Sequence, residues 1–475
     1  MKDRVLKAEE KRDFISKLPD EILSIIISYL HVDEAVRCNV LSKRWEGMWK
    51  LAPHMEFDAK HMIKPLSQLL HKRKSHKLPC FHPDPSKNKQ VSRYGLKILQ
   101  LMSHHSGDIS SCRFVHFRKS ILFGGVEAWV EFLVENKVGF TNLILQCEPD
   151  HYGEIAEKCF SRDEICKPDF SPGLFSGLCS LELVNYTIDS WAAFEGCINL
   201  KNLKLERIYL DDISLSGILE ACKGLENFSL VESTGFQTLI IVKSSIRVLQ
   251  LQALLLDEVE INCPNLEVLQ LDSVKCPLQH LIINAPSLRT FHSYCYSIFA
   301  RLLPINEGRY VLKTHEIFAH CNSSLSESPN GNFLQNLSNM SMDLNLNRIS
   351  EVMDLSLVLR LCTNLQTLEV ALPDLTHKNS DNVSSDDCAT PYPISMLLES
   401  CHCIHKMLKS VYIRGFRGKE HEMEFVKYII TRATMMKKIT IESKNSKREA
   451  ESLLSLPKAS RNLCINLKIN VNPMK

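Results

Sequence analysis

At 475 residues the chain is longer than a single compact core readily supports, so two domains or an elongated repeat array is expected. Its 57 Lys+Arg against 55 Asp+Glu leave a net charge of +2, which calls for neither nucleic acid nor an acidic membrane as partner, and only 17 glycines speak against an enzyme built on Gly-rich phosphate loops. Eighteen cysteines would suit a disulfide-rich secreted chain. However, the opening MKDRVLKAEEKR is charged and lacks an apolar core, and no apolar run approaches the ~18 residues that span a bilayer. Reduced thiols in the nucleus and/or cytoplasm, with no membrane partner, are the expectation.

The first elements lie between Asp13 and Asp58. Pro19 suits the first turn of a helix, and Asp20 and Glu21 favour its positive end. Ile22, Leu23, Ile26 and Leu30 recur at helical spacing, while Ile25, Ile27 and Tyr29 fill much of the remaining circumference. A helix apolar nearly all round must be buried on more than one side. Three short helices cannot supply that much burial themselves, so the surplus predicts a partner surface. Asp33 is the predicted N-cap of a second helix carrying Ala35, Val36 and Val40, and Ser42 the cap of a third carrying Trp45 and Trp49 on one face. Trp45 is expected to be the more central of the two, with Trp49 packing towards the segment that follows.

These residues resemble an F-box of the plant type. Asp13, Ile15, Ser16, Leu18-Pro19-Asp20-Glu21, Leu23, Ile26, Leu30, Asp33, Ala35, Arg37, Leu41-Ser42-Lys43-Arg44-Trp45 and Trp49 all fall in its register, with departures at Cys38 and Asn39. The resemblance implies a three-helix module that binds the Skp-type adaptor of a cullin–RING ubiquitin ligase. Carried over residue by residue, the adaptor contacts are Leu18, Pro19, Ile22, Leu23, Ile26, Leu30, Val40, Leu41, Trp45 and Trp49.

Residues 71–90 are basic, contain three prolines and show no periodicity, so a loop is predicted there. Lys72-Arg73-Lys74 within it reads as a solvated loop, a nuclear-import address or a phosphate contact. From about residue 110 the chain becomes self-similar. Leu178, Leu200, Leu225, Ile246, Leu266 and Leu288 each open an L-x-x-[LF]-x-L frame, at spacings of 22, 25, 21, 20 and 22. Phe140, Leu337 and Leu365 continue it, and His315-Glu-Ile317 is a weaker match. These spacings lie within the about 20–29 residues of leucine-rich repeats, whose period-2 leucines form a strand while the rest returns outside it. Cys197, Cys222, Cys263 and Cys362 each precede the frame by three residues, as small buried residues stacking on their copies. Between the leucines, Lys204, Glu206, Ser229, Gln250, Gln252, Gln270, Asp272, His292 and Tyr294 face outward. They form either a surface that reads a protein target or an ordinary solvated strand face.

Residues 377–393 are polar and read as a flexible insertion. Residues 407–441 depart from the frame, as strand, Gly turn, helix with Met423, Val426, Ile429 and Ile430 inward, then strand. They resemble the FBD segment of plant F-box proteins with leucine-rich repeats; capping the repeats and binding a partner are both open to them.

Little in the chain suggests catalysis. The histidines of HEIFAH (315–320) are five apart, ~140° round a helix, and so off one face. CHCIH (401–405) lacks a second pair at zinc-finger spacing, and no G-x-S-x-G, P-loop or dinucleotide motif occurs. No metal, cofactor or catalytic residue is assigned.

The expected fold class is therefore α/β: an N-terminal three-helix F-box followed by a curved leucine-rich-repeat solenoid, with parallel strands on the concave face and helices and loops outside. Its expected divisions are F-box 13–58, linker and basic loop 59–108, repeats 109–406 and FBD-like segment 407–475. The expected function is substrate recognition in a Skp–cullin–F-box ligase, without catalysis. The alternative is a repeat scaffold that binds the adaptor or other proteins without ubiquitinating a target.

Overall fold

The structure of the chain, a computed structural model, describes residues 15–62, 85–118, 125–148, 166–277, 280–293, 334–346, 348–372, 393–444 and 447–470. The basic cluster at 72–74, Tyr294, HEIFAH and all but the last residue of the polar stretch 377–393 lie outside these residues. The chain divides into two compact units, residues 1–210 with 220–224 and residues 211–219 with 225–475.

The first unit opens with helices α1 (Asp20–Ser28) and α2 (Val32–Arg37), each followed by tight turns. The Pro19 carbonyl accepts the first helical bonds, from the Ile22 and Leu23 amides at 3.1 Å. Asp33 does not cap α2; the N-cap is His31, and Asp33 lies inside the helix, paired with Arg37 one turn on at 3.1 Å. The third α-helix predicted from Ser42 is absent. Gly47, at φ +80°, breaks the chain into turns before it and a 3-10 helix, Met48–Leu51, after it. Asn39, one of the departures from the family pattern, holds that break by accepting from the Gly47 amide at 2.9 Å.

Strand β1 (His54–Asp58) follows inside the segment expected to belong to the F-box, and it is the first strand of a parallel sheet. Strands β2 (Ser111–Phe117), β3 (Asn142–Glu148), β4 (Ser180–Val184) and β6 (Asn202–Glu206) continue that sheet in one register: His54, Ser111, Asn142, Ser180 and Asn202 are successive partners. Two short strands, β5 (Thr187–Ile188) and β7 (Tyr209–Leu210), pair behind it. The predicted linker is not all loop: residues Pro85–His104 form a helix, and a second helix, Gly125–Asn136, joins β2 to β3.

In the second unit β8 (Asn227–Val231), β10 (Val248–Gln252), β12 (Val268–Asp272), β14 (Thr290–Ser293), β15 (Asn339–Asp343) and β16 (Thr367–Ala371) are neighbours in a parallel sheet. Each strand begins two residues after the frame's first apolar residue, so the frame's leucines alternate into the core, as Leu249, Leu251, Leu269 and Leu271 do with at most 1% exposed. The return path differs from expectation. In three successive repeats it is a strand, and β9 (Thr238–Val242), β11 (Glu258–Asn262) and β13 (Leu281–Asn284) pair in parallel as a second sheet. Helix Ile349–Leu361 occupies the return before β16.

The C-terminal segment also departs less than its sequence suggests. Strands β17 (Ser410–Phe416), β18 (Lys438–Lys444) and β19 (Cys464–Asn470) continue the same parallel sheet beyond β16. Its helix, Glu420–Arg432, buries Val426, Ile429 and Ile430 as predicted and Phe425 as well, while Met423, also expected inward, is only half-buried.

One feature recurs at the strand ends. Asn185, Arg207, Glu232, Ala253 and Ser273 follow β4, β6, β8, β10 and β12 and all have φ between 49° and 64°. Gly415 holds the same register position in β17 at φ +76°. The left-handed turn aims the amide at the next strand: Glu232 donates to the Gln252 carbonyl at 2.9 Å and Ala253 to that of Asp272 at 2.8 Å. Gly415 is required for a second reason, because a Cβ there would lie 2.6 Å from the Leu372 carbonyl oxygen.

The four thiols expected in the core are buried there. Cys197, Cys222, Cys263 and Cys362 are each 0% exposed. Cys401 and Cys403 of the CHCIH stretch are buried too and donate to the carbonyls of Ser356 and Leu359 at 3.5 and 3.0 Å. Burial pushes them up to about 11 and about 12, so they behave as inert thiols. His402 faces solvent while His405 meets the Tyr428 hydroxyl at 3.1 Å, so the five residues do not converge.

Candidate functional site

Helix α1 has two opposed apolar faces. Leu23 and Ile27, both 0% exposed, point inward with Ser24 and Ser28, whose hydroxyls donate to the Glu21 and Ile25 carbonyls at 2.8 and 2.7 Å. On the other side Ile22, Ile25, Ile26 and Tyr29 are exposed, within an arc of about 100° at the helical pitch. Tyr29 is 81% exposed, and Val40 and Leu41, in and just after the turn that follows α2, are also open to solvent. Removing such a group from water is worth about 25 cal/mol per Å² of apolar surface, so a partner that covers it gains on every residue.

The ten residues carried over from the resemblance therefore divide. Pro19, Ile22, Ile26, Val40 and Leu41 are exposed; Leu18, Leu30 and Trp45 are half-buried; Leu23 and Trp49 are core residues. The expectation that Trp45 is the central tryptophan is corrected. Trp49, 6% exposed, is the buried one, because the Gly47 break turns it into the 3-10 helix that packs on α1. The carbonyl of neighbouring Lys50 accepts from the Ser106 and Gly107 amides at 3.0 and 2.9 Å, so this turn also meets the chain before β2. Arg44 has a structural task as well. Its guanidinium bonds the Leu18 carbonyl and reaches Asp20 Oδ1 at 3.0 Å, tying the loop to the start of α1. Ile25 and Tyr29 were not among the carried-over contacts, although their i, i+4 spacing with each other and i, i+3 spacing from Ile22 and Ile26 give the signal.

Apart from Tyr294, which lies outside the described residues, the outward residues predicted on the repeats lie on the strand face opposite the core, half-exposed. In the first unit Lys204 is held between Glu182 at 2.8 Å and Glu206 at 2.9 Å, and Arg207 pairs with Glu206 at 3.0 Å. In the second unit Ser229, Gln250, Gln270 and His292 are successive register partners, as are Gln252 and Asp272. Ser229 donates to Gln250 Oε1 at 3.0 Å. The ladder runs on through residues the frame did not nominate. Ser341 donates to Glu369 at 3.2 Å, Arg414 pairs with Glu369, and Tyr412 donates to Glu442 at 2.7 Å with Arg414 and Lys468 over its ring. Asp343 lies among them with its carboxyl pushed up to about 6, by burial first and then by Asp272, with Arg414 opposing.

Three family models match the chain in this order: the F-box domain over residues 15–53, the leucine-rich repeats of the FBD-associated F-box protein At5g56370 over 173–298, and FBD over 398–441. The chain thus carries an F-box, leucine-rich repeats and an FBD segment. The F-box protein At1g80960 of Arabidopsis thaliana is 25% identical over 463 residues, covering 91% of this chain and 84% of that protein. The FBD-associated F-box protein At5g38590 of the same plant is 25% identical over 442 residues, covering 90% and 93%. The putative F-box protein At1g67390, also from Arabidopsis thaliana, is 28% identical over 327 residues, covering 68% of this chain and 56% of its own length. An internalin from Listeria monocytogenes aligns at a TM-score of 0.29 and 11% identity over 87% of this chain and 91% of its own, too distant a likeness to carry an argument. No helix among the described residues is long and apolar enough to cross a membrane.

Proposed function

We propose that the chain is a non-catalytic substrate receptor of a Skp–cullin–RING ubiquitin ligase. The outward face of α1 docks the adaptor, and the polar ladder on the strands holds a protein target. The observation that carries the reading is the exposed row Ile22, Ile25, Ile26 and Tyr29, on residues that match an F-box. Its contribution is proximity: a target held near the charged transferring enzyme presents its lysines at raised effective concentration, with no group from the receptor entering the chemistry.

The test is a titration of the full chain with a plant Skp-type adaptor. Ile22→Ser/Ile26→Ser is expected to weaken binding at least tenfold while leaving the thermal melt of the free chain nearly unchanged, because neither side chain is in the core. Equal binding by wild type and the double variant, or none by either, overturns the reading.

A further inference from the structure

The core of the first unit contains a cluster that its fold does not require. His116 and Cys147 are register partners on β2 and β3, at inward positions that continue the alternation of Phe114 and Leu145. Cys166 joins them from the segment bridged to Tyr186, whose neighbour Thr187 donates to the Cys166 carbonyl at 2.6 Å. His116 is 0% exposed, Cys166 1% and Cys147 3%. Their ligand atoms all lie within 4.8 Å of one another. These two thiols are off the register of the four buried repeat cysteines, so that recurring position does not account for them.

The imidazole is held in the form that binds a metal. Its Nδ1 faces the Phe117 carbonyl oxygen at 3.0 Å; a carbonyl only accepts, so Nδ1 carries the proton and Nε2 presents its lone pair. Nε2 is hydrogen-bonded to the hydroxyl of Tyr186, itself fully buried. The backbone beneath Cys147 is fixed as well, since the Asn185 side-chain amide donates to its carbonyl at 2.6 Å.

We propose that His116 Nε2, Cys147 Sγ and Cys166 Sγ form a buried site for a zinc-class ion, with Tyr186 Oη at the fourth position. Two sulfurs and an imidazole are the donor set that such an ion selects, and no buried acidic residue or main-chain oxygen has to be recruited. A tetrahedron with Zn–S of ~2.3 Å and Zn–N of ~2.0–2.1 Å spaces these nitrogen and sulfur atoms about 3.5–3.8 Å apart, so the three need only a modest contraction while the Tyr186 hydroxyl moves off Nε2. Both thiols enter as thiolates, and their two protons leave to the buffer. The ion would staple β2 and β3 to the strand end at Tyr186, in place of the Tyr186–His116 hydrogen bond.

The experiment uses the full chain, purified under reducing conditions, stripped with a chelator and reloaded with Zn²⁺ or Co²⁺ alone. One ion per chain is expected, with thiolate-to-cobalt charge-transfer absorption and a melting temperature raised by several degrees. Cys147→Ala/Cys166→Ala and His116→Asn are expected to lose the ion. His61→Ala is expected to keep it, which separates this cluster from the more exposed group His31, Asp58 and His61. Should a core variant fail to fold, thiol modification of the wild type followed by peptide mapping decides: bound Zn²⁺ must protect Cys147 and Cys166 selectively. No uptake by folded wild type, retention by the double cysteine variant, loss on His61→Ala, or protection of other thiols only would each overturn the proposal.

Discussion

Helix α1 and the strand ladder both present a row of side chains to solvent, but of opposite chemistry. In α1 the outward row is apolar, so the helix has a hydrophobic face on each side. In the strands the inward row is apolar and the outward row is polar, and its members already satisfy one another: Ser229 with Gln250, Ser341 and Arg414 with Glu369, Tyr412 with Glu442. The difference predicts two kinds of contact. A partner on α1 gains by covering area, without directional demands. A partner on the ladder gains only if its own groups replace bonds already made, which favours selectivity over raw affinity.

The largest effects should come from exchanging the faces within one element. Leu251→Ala on β10 removes a side chain with no exposure and is expected to cost about 2–5 kcal/mol, whereas the adjacent Gln250→Ala should cost about 1 kcal/mol or less in urea unfolding. The same contrast in α1 sets Leu23→Ala, again about 2–5 kcal/mol, against Ile26→Ala, which should change stability by less than about 1 kcal/mol. If Ile26→Ala destabilises as much as Leu23→Ala, the outward face is in fact packed and the comparison fails.

A smaller effect tests the strand-end turn. Gly415→Ala places a methyl 2.6 Å from the Leu372 oxygen at φ +76°, and a loss of about 1–3 kcal/mol is expected. Ser273→Gly, at the equivalent turn of β12, should be neutral or mildly stabilising, because glycine takes that φ without strain. Thermal melts of the two variants side by side would show whether the turn tolerates a side chain where no backbone blocks it.

The repeat frame was legible because period-2 leucines report burial directly. Leu178 to Leu288 place every strand from β4 to β14 on the main sheets to the residue. The apolar surplus of α1 was legible for the same reason, though its division into an inward pair and an outward row was not: Ile22, Leu23 and Ile26 are chemically alike, and only packing tells them apart. The third helix was misread because Ser42 and the Trp45–Trp49 spacing satisfy helical rules locally, while Gly47 and its bond to Asn39 act against them from a distance of eight residues. The outer strands β9, β11 and β13 were missed because isoleucine- and valine-rich returns fit neither the helices nor the loops expected there. The polar partners on β15 to β18 belong to frames interrupted by long insertions, so their place on one ladder appears only when the strands are laid side by side.

The smallest effect concerns charge on that ladder. Asp343 titrates at about 6 in the fold against an ordinary value of 3.8, so the native state holds its proton more tightly than the unfolded chain. Its ionisation therefore opposes folding: stability from this group is fully present below about pH 4 and is lost as pH rises through about 6. The half-buried carboxyl is partly screened by solvent, and the loss at neutral pH should be about 1 kcal/mol or less. Neighbouring His292 runs the other way, because burial lowers it and its protonation opposes folding as pH falls. The measurement is consequently a difference between two chains that share His292. Asp343→Asn should be more stable than wild type at pH 7.5, and the gap should close as pH falls through 6 and vanish near 4. Asp272→Asn, by removing the nearby like charge while leaving Asp343 buried, should narrow the gap without abolishing it. Parallel stability curves for wild type and Asp343→Asn across that range would remove Asp343 as the source of the dependence.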